Sequence, residues 1–182
     1  MSHEAAGTMA SKPVYAPLPE TILPASRRLL VVQNAMLQEA ADLHERLQSA
    51  GQPLTMLSLQ GDAGQGCNDP QMLETKLRDL LSWSPVGTRL YVCGDESFLW
   101  QVSALARNAG LLGEEIELIK TGERREMYCV HCSTRQSIGA EGETVCTGCG
   151  VHLLVRDHFS QRLGAYMGVC IDPDHPHGED KA

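Results

Sequence analysis

Two C-x-x-C pairs constrain this chain more than any other feature: Cys129-Val130-His131-Cys132 and Cys146-Thr147-Gly148-Cys149, with 13 residues between them. Two residues between paired cysteines let one tight turn aim both sulfurs at one ion. Two such turns make a closed tetrahedral shell of four thiolates, and 13 residues suffice for a hairpin that brings the turns together. Gly150, just past the second pair, can take a positive φ and turn backbone N–H groups toward the sulfurs. The expected metal ligands are therefore Cys129, Cys132, Cys146 and Cys149. Four unbound thiols crowded on a partly exposed surface would oxidise.

Zinc is the expected ion, with iron as the alternative. Rubredoxin-like iron sites usually carry Gly after each pair and Pro inside the second. Here Gly150 fits, but Ser133 follows the first pair and Thr147 stands where the Pro would be. A closed four-thiolate zinc has no open coordination position and no redox chemistry, so it stabilises a small fold and does not catalyse. His131, His152 and His158 lie close in sequence and are read as surface or hydrogen-bonded histidines. Cys67, Cys93 and Cys170 are read as ordinary thiols. The cluster Asp172, Asp174, His175 and His177 is read as part of a solvated tail.

The 182 residues suffice for one ordinary domain, or for a small domain plus a metal-stapled module. The net charge of −8 argues against a nucleic-acid surface and against an anionic membrane surface. It favours neutral or basic partner surfaces. No run of 18 apolar residues is present, and Met1 to Pro24 has no basic segment leading into an apolar one. A cytoplasmic location is the default expectation, and C-x-x-C pairs in a reducing compartment read as metal ligands.

Upstream of the cysteines the hydrophobic pattern alternates between two periods. Residues 1–27, with four of the nine prolines, read as an extended arm. Residues 28–122 read as a small α/β domain. Leu29 to Val32, Leu54 to Leu59, Leu90 to Cys93 and Ile116 to Ile119 are its strands. The first helix carries Met36, Ala40, Leu43 and Leu47 on one face, with Asn34 as N-cap. The second opens at Asp69-Pro70 and buries Leu73, Leu77, Leu80 and Leu81. The third, from about Ser97 to Ala109, presents Phe98, Val102, Leu105 and Ala109. Alternating strands and helices imply a parallel sheet with helices on both faces. Gly61 to Asn68 is a glycine-rich loop. Residues 127–170 form the four-cysteine ribbon, and 171–182 a flexible tail.

The stretch Leu90-Tyr91-Val92-Cys93-Gly94-Asp95-Glu96-Ser97-Phe98 resembles the strand end Y-V-C-G-P and following helix of ferredoxin reductase-like flavoproteins, where a nicotinamide cofactor lies. The likeness spans residues 28 to 120. However, the turn after the first strand reads Gln33-Asn34-Ala35-Met36, with no glycine to let a pyrophosphate approach, and Asp95 replaces the Pro. The expectation is a degenerate domain that has lost its nucleotide.

A degenerate reductase-like domain followed by a four-cysteine ribbon is similar to the small subunit of dimethylamine monooxygenase. The likeness is carried by Tyr128 to Cys132, by Cys146 to Ser160 and by Gly164 to Gly168. The resemblance implies a bacterial complex that uses NADPH and dioxygen to demethylate dimethylamine to methylamine and formaldehyde. It also implies oxygenase and reductase subunits as partners, with the redox cofactors mainly on them. The chain has no Walker motif, no G-x-S-x-G, no H-E-x-x-H, no plant-type ferredoxin cysteine spacing and no haem-attachment motif. No catalytic and no cofactor-binding residue is assigned beyond the metal. The expectation is a non-catalytic structural and interaction subunit of that oxidoreductase, the alternative a rubredoxin-like electron carrier with iron.

Overall fold

The computed structural model describes residues 13, 15, 17–61 and 66–177. The rest of the arm, half of the glycine-rich loop and the end of the tail lie outside the described residues. The chain divides into two compact units, one over Tyr15–Glu123 and one holding the residues from Arg124 on.

In the first unit, β1 (Arg27–Asn34), β2 (Leu54–Gln60), β3 (Thr88–Gly94) and β4 (Ile116–Lys120) form a parallel sheet in the order β2-β1-β3-β4. Leu29 to Val32 are all buried because the sheet is covered on both faces. Alternation along the strands splits the apolar side chains into two cores. Leu29, Val31, Leu90 and Val92 pack with residues of α2 (Pro70–Ser82) and α3 (Glu96–Asn108). Leu30, Val32, Tyr91 and Cys93 pack with Ala40, Leu43 and Leu47 of α1 (Gln38–Ser49). Asp69 caps α2 as expected, its carboxylate accepting from the N–H groups of Gln71 and Met72.

Two helix expectations are corrected. Asn34 is not the cap of α1, which begins at Gln38 after Leu37. Asn34 ends β1 and its Oδ1 accepts from the Met36 N–H at 2.9 Å, bending the chain early. Met36 therefore precedes the helix and stands 76% exposed. In α3 the buried face is Phe98, Leu99, Trp100, Val102, Ser103 and Ala106; Leu105 is only half-buried and Ala109 is exposed. The arm accounts for part of the shift: Tyr15 O–H donates to Glu96 at 2.7 Å and accepts the Trp100 indole N–H at 2.7 Å.

The described part of the arm is docked without any repeat. Leu18 and Ile22 pack on the α1 side of the sheet. Arg28, 1% exposed, reaches the Leu23 carbonyl at 3.0 Å and the Gln52 side chain. Such irregular contacts leave no periodic signal.

The second unit is a five-stranded sheet of β5 (Arg125–Cys129), β6 (Arg135–Ile138), β7 (Glu143–Val145), β8 (His152–Ser160) and β9 (Ala165–Cys170), in the order β6-β5-β9-β8-β7. β5 and β9 are parallel, and the other neighbours are antiparallel. The tail differs from the loose segment expected. Ile171 N–H donates to the His152 carbonyl at 3.0 Å, and His152 N–H to that of Pro176 at 3.2 Å, so residues up to 176 are tied to β8.

Candidate metal centre

Each cysteine pair sits at the turn of its own hairpin, β5–β6 for the first and β7–β8 for the second. The single hairpin expected from the 13-residue spacing is thus two, with β6 and β7 at opposite ends of the strand order. The two knuckles repeat one hydrogen-bond pattern. Ser133 N–H donates to the Cys129 carbonyl at 2.8 Å, and Gly150 N–H to that of Cys146 at 2.8 Å. Cys129 N–H then bonds the Thr134 carbonyl, and Cys146 N–H the Val151 carbonyl, both at 2.9 Å. The residue after each pair is left-handed, Gly150 at φ 73° and Ser133 at φ 65°. Ser133, which sequence set apart from the glycine pattern, adopts the same turn at a cost of about 1 kcal/mol.

The four sulfurs lie within 4.8 Å of one another. Cys132 Sγ to Cys146 Sγ is 3.5 Å and Cys129 Sγ to Cys149 Sγ is 3.9 Å. A tetrahedral ion with bonds of about 2.3 Å to sulfur sets its ligands roughly 3.8 Å apart, so the shell fits one ion. Cys129 and Cys146 are buried, Cys149 half-buried and Cys132 exposed. The thiols cannot all ionise together without a cation, and their proton affinities split. Hydrogen bonds from Thr134 pull Cys132 down to about 6. For Cys149 the Val151 backbone bond pulls down, but burial and the neighbouring cysteines outweigh it and push the thiol up to about 12. Burial raises Cys129. A bound cation inverts this logic by holding all four as thiolates.

Sequence spacing missed the parts that hold the knuckles together. Gln136 of β6 accepts from the Thr147 N–H at 2.8 Å and donates to the Val145 carbonyl at 3.1 Å. One amide thus ties the first hairpin to the second knuckle. Gly148 also has no room for a side chain, since a Cβ there would run into Thr134. Gln136→Ala is expected to weaken metal affinity about 10- to 100-fold with the ligands intact, as loss of an orienting outer contact does. Competition with a chromogenic chelator measures it.

None of the neighbouring histidines joins the cluster; His131, His152 and His158 are exposed. Among the described residues no other His/Cys/Asp/Glu group can hold an ion. Asp172 instead caps its own turn, accepting from the N–H groups of Asp174 and His175.

The sheet unit has a second place where chemistry could sit. Strand order reverses between β1 and β3, and open α/β sheets bind ligands in the crevice at that point. Here Gln33 and Asp95 fill it. Gln33 Nε2 donates to Asp95 Oδ2 at 2.8 Å, and Asp95 N–H donates to Gln33 Oε1 at 2.7 Å. Asp95 Oδ1 accepts from the Phe98 N–H at 2.9 Å, so a carboxylate already occupies the N-terminus of α3. Phe98 and Gln33 close over Gly94, where a Cβ would lie 2.6 Å from Phe98 Cδ1 and 2.9 Å from Gln33 Cβ.

Residues 126–169 match the family model for the C-terminal domain of DmmA-like dimethylamine monooxygenase subunits, and residues 43–116 match the model for the N-terminal domain of the same subunits. The heme-dependent oxidative N-demethylase delta subunit of Ectopseudomonas mendocina (strain ymp) is 43% identical over 178 residues, 97% of each chain. Among solved structures, phthalate dioxygenase reductase aligns with 64% of this chain at 14% identity and a TM-score of 0.41, and this chain covers 44% of it.

Proposed function

The chain belongs to the family of DmmA-like dimethylamine monooxygenase subunits, and from that premise we propose that it is a non-catalytic structural and interaction subunit of an oxidative demethylase. In this reading the complex uses NADPH and dioxygen to convert dimethylamine to methylamine and formaldehyde. Oxygenase and reductase subunits are the partners. In this reading the haem in the relative's name is held by a companion subunit. The observation that carries the non-catalytic reading is the Gln33–Asp95 pair across the sheet crevice. It occupies the place where a reductase would hold its nicotinamide cofactor, and puts a carboxylate where a phosphate would need N–H donors.

Cys129, Cys132, Cys146 and Cys149 are the proposed ligands of one structural zinc. When bound, the ion supplies cross-linking energy and no reaction step. Protein purified without added metal is expected to be colourless and to contain about one zinc per chain. Elemental analysis decides it. One observation favours a second reading: Cys132 is exposed, so an iron in this shell would have a ligand at the surface from which an electron could pass to a partner. Red protein with iron equimolar to chain and zinc absent establishes that reading instead.

A further inference from the structure

The four clustered sulfurs are unequal in their access to solvent. Cys129 and Cys146 are buried, Cys149 is half-buried and Cys132 is exposed. Around Cys132 the first knuckle lies open: Val130 is 47% exposed, and His131 and Ser133 are exposed as well. The sulfurs are also paired across the two hairpins. Cys132 Sγ stands 3.5 Å from Cys146 Sγ, and Cys129 Sγ 3.9 Å from Cys149 Sγ. Each of these contacts joins the first knuckle to the second.

Coordination does not shield such sulfurs from an oxidant. A bound cation holds each as a thiolate, and the thiolate is the nucleophile. Oxidation of cysteine follows thiolate character and exposure, and it stays reversible where a second cysteine is poised to resolve the product. Cys132 meets all three conditions. The thiols outside the cluster do not: Cys67 and Cys93 are buried, and the half-buried Cys170 keeps its proton, donating to the Asp172 carbonyl at 3.1 Å.

We propose that the four-cysteine centre is a peroxide-responsive switch, resting on the proposed zinc, in which Cys132 is attacked first and Cys146 resolves it into a disulfide between the two hairpins. The oxidant is hydrogen peroxide, the product of two-electron reduction of the dioxygen that the proposed complex consumes. The Cys132 thiolate attacks one peroxide oxygen: an S–O bond forms, the O–O bond breaks, and hydroxide leaves and takes up a proton to become water. Cys132 is then a sulfenic acid. The Cys146 thiolate attacks that sulfur: an S–S bond forms, the S–O bond breaks, and a second hydroxide leaves and is protonated. Two thiolates, one peroxide and two protons have become one disulfide and two waters. Cys129 and Cys149 alone cannot close a four-sulfur shell, so the ion is released. Closure across the knuckles decides what becomes of the fold. The Cys132–Cys146 bond spans the 13 residues between the pairs and links the hairpins as the ion did. Gln136, bonded to the Thr147 N–H and the Val145 carbonyl, holds the same two segments together. The oxidised unit therefore keeps a staple that a chelated one lacks, and reduction with zinc present restores the shell.

The test uses the purified full chain, its metal assayed beforehand. Hydrogen peroxide is added in slight excess, released zinc is followed with a chromogenic chelator, and disulfides are mapped by mass spectrometry. About one zinc is expected to leave per disulfide formed, with Cys132 joined to Cys146, and dithiothreitol plus zinc is expected to reverse both changes. In hydrogen exchange, β8 and β9 of the oxidised chain are expected to stay at least about tenfold better protected than those of a chain stripped by a chelator. Cys132→His keeps a zinc ligand at the exposed corner and removes the attacked sulfur. Its zinc release under peroxide is expected to slow about tenfold or more, and Cys170→Ser is expected to respond like wild type. The wild-type mapping decides the matter by itself if the histidine variant takes up no zinc. Zinc retained under peroxide that fully oxidises glutathione, a disulfide between Cys129 and Cys132, zinc lost only with sulfinic acid, or a zinc-loaded Cys132→His chain that responds at the wild-type rate each overturns the switch and leaves the zinc site standing. Iron, or no metal, in the untreated chain defeats the proposed zinc itself, and the switch with it.

Discussion

Cys146→Ser is expected to unfold the second unit while the sheet unit stays folded. Cys146 is 2% exposed, its sulfur lies 3.5 Å from that of Cys132, and its backbone closes the second knuckle through Gly150 and Val151. Serine keeps the shape and removes the thiolate. The apolar interior around it is small: among the described residues, Met127, Ile138, Val151, Leu153, Val155, Phe159, Ala165 and Tyr166 are its buried members besides the cysteines. Domains of this size seldom bury enough apolar surface to fold without a staple. Structural zinc supplies on the order of 10–16 kcal/mol in small modules at neutral pH, more than a core of this size can replace. In hydrogen exchange, amides of β5, β8 and β9 are expected to lose protection by several orders of magnitude. Those of β1 and β3, buried between two helical layers with both cores intact, are expected to exchange as in wild type. Equal protection of β8 and β9 in variant and wild type would show that the strands hold without the ion, and the metal would lose its structural role.

How legible each part was follows from how local its physics is. The buried run Leu29 to Val32, the Asp69-Pro70 helix start and the paired cysteines are decided by neighbours in sequence, and each falls where its pattern put it. Asn34 misled because an Asx turn and a helix cap use the same side-chain acceptor, and only the distance to the first buried residue separates them. The face of α3 shifted because Tyr15, 85 residues before Trp100, lies on it. Strands β6 and β7 were invisible as strands, since they are four and three residues long and their alternation is too short to read. Gln136 and the Gln33–Asp95 pair are polar contacts between distant segments, and no periodicity announces such contacts. Ser133 is the opposite case. Its place after the first cysteine pair was visible, but its left-handed turn follows from the geometry of the knuckle and not from the residue.

Asp95→Ala is expected to cost the sheet unit about 1–3.5 kcal/mol and to leave NADPH binding no tighter. The carboxylate is 6% exposed and does two jobs: it caps α3 through Phe98 N–H and receives the Gln33 amide. Losing a helix cap costs about 0.5–2 kcal/mol. Losing the bond from the half-buried Gln33 amide costs about 0.5–1.5 kcal/mol more. A residue kept for function at the expense of stability behaves in the other direction: its removal stabilises the fold. The two readings therefore predict opposite signs for one measured quantity, the urea midpoint of the sheet unit. Calorimetric titration supplies the second arm. With Asp95 gone, Gln33 still fills the crevice and the turn through Ala35 and Met36 still carries side chains where a pyrophosphate needs bare backbone. NADPH is expected to bind neither protein tightly. An Asp95→Ala chain that is more stable than wild type and takes up NADPH in the low micromolar range would mean that the crevice is a masked cofactor site, and the sheet unit would regain a place in the electron path.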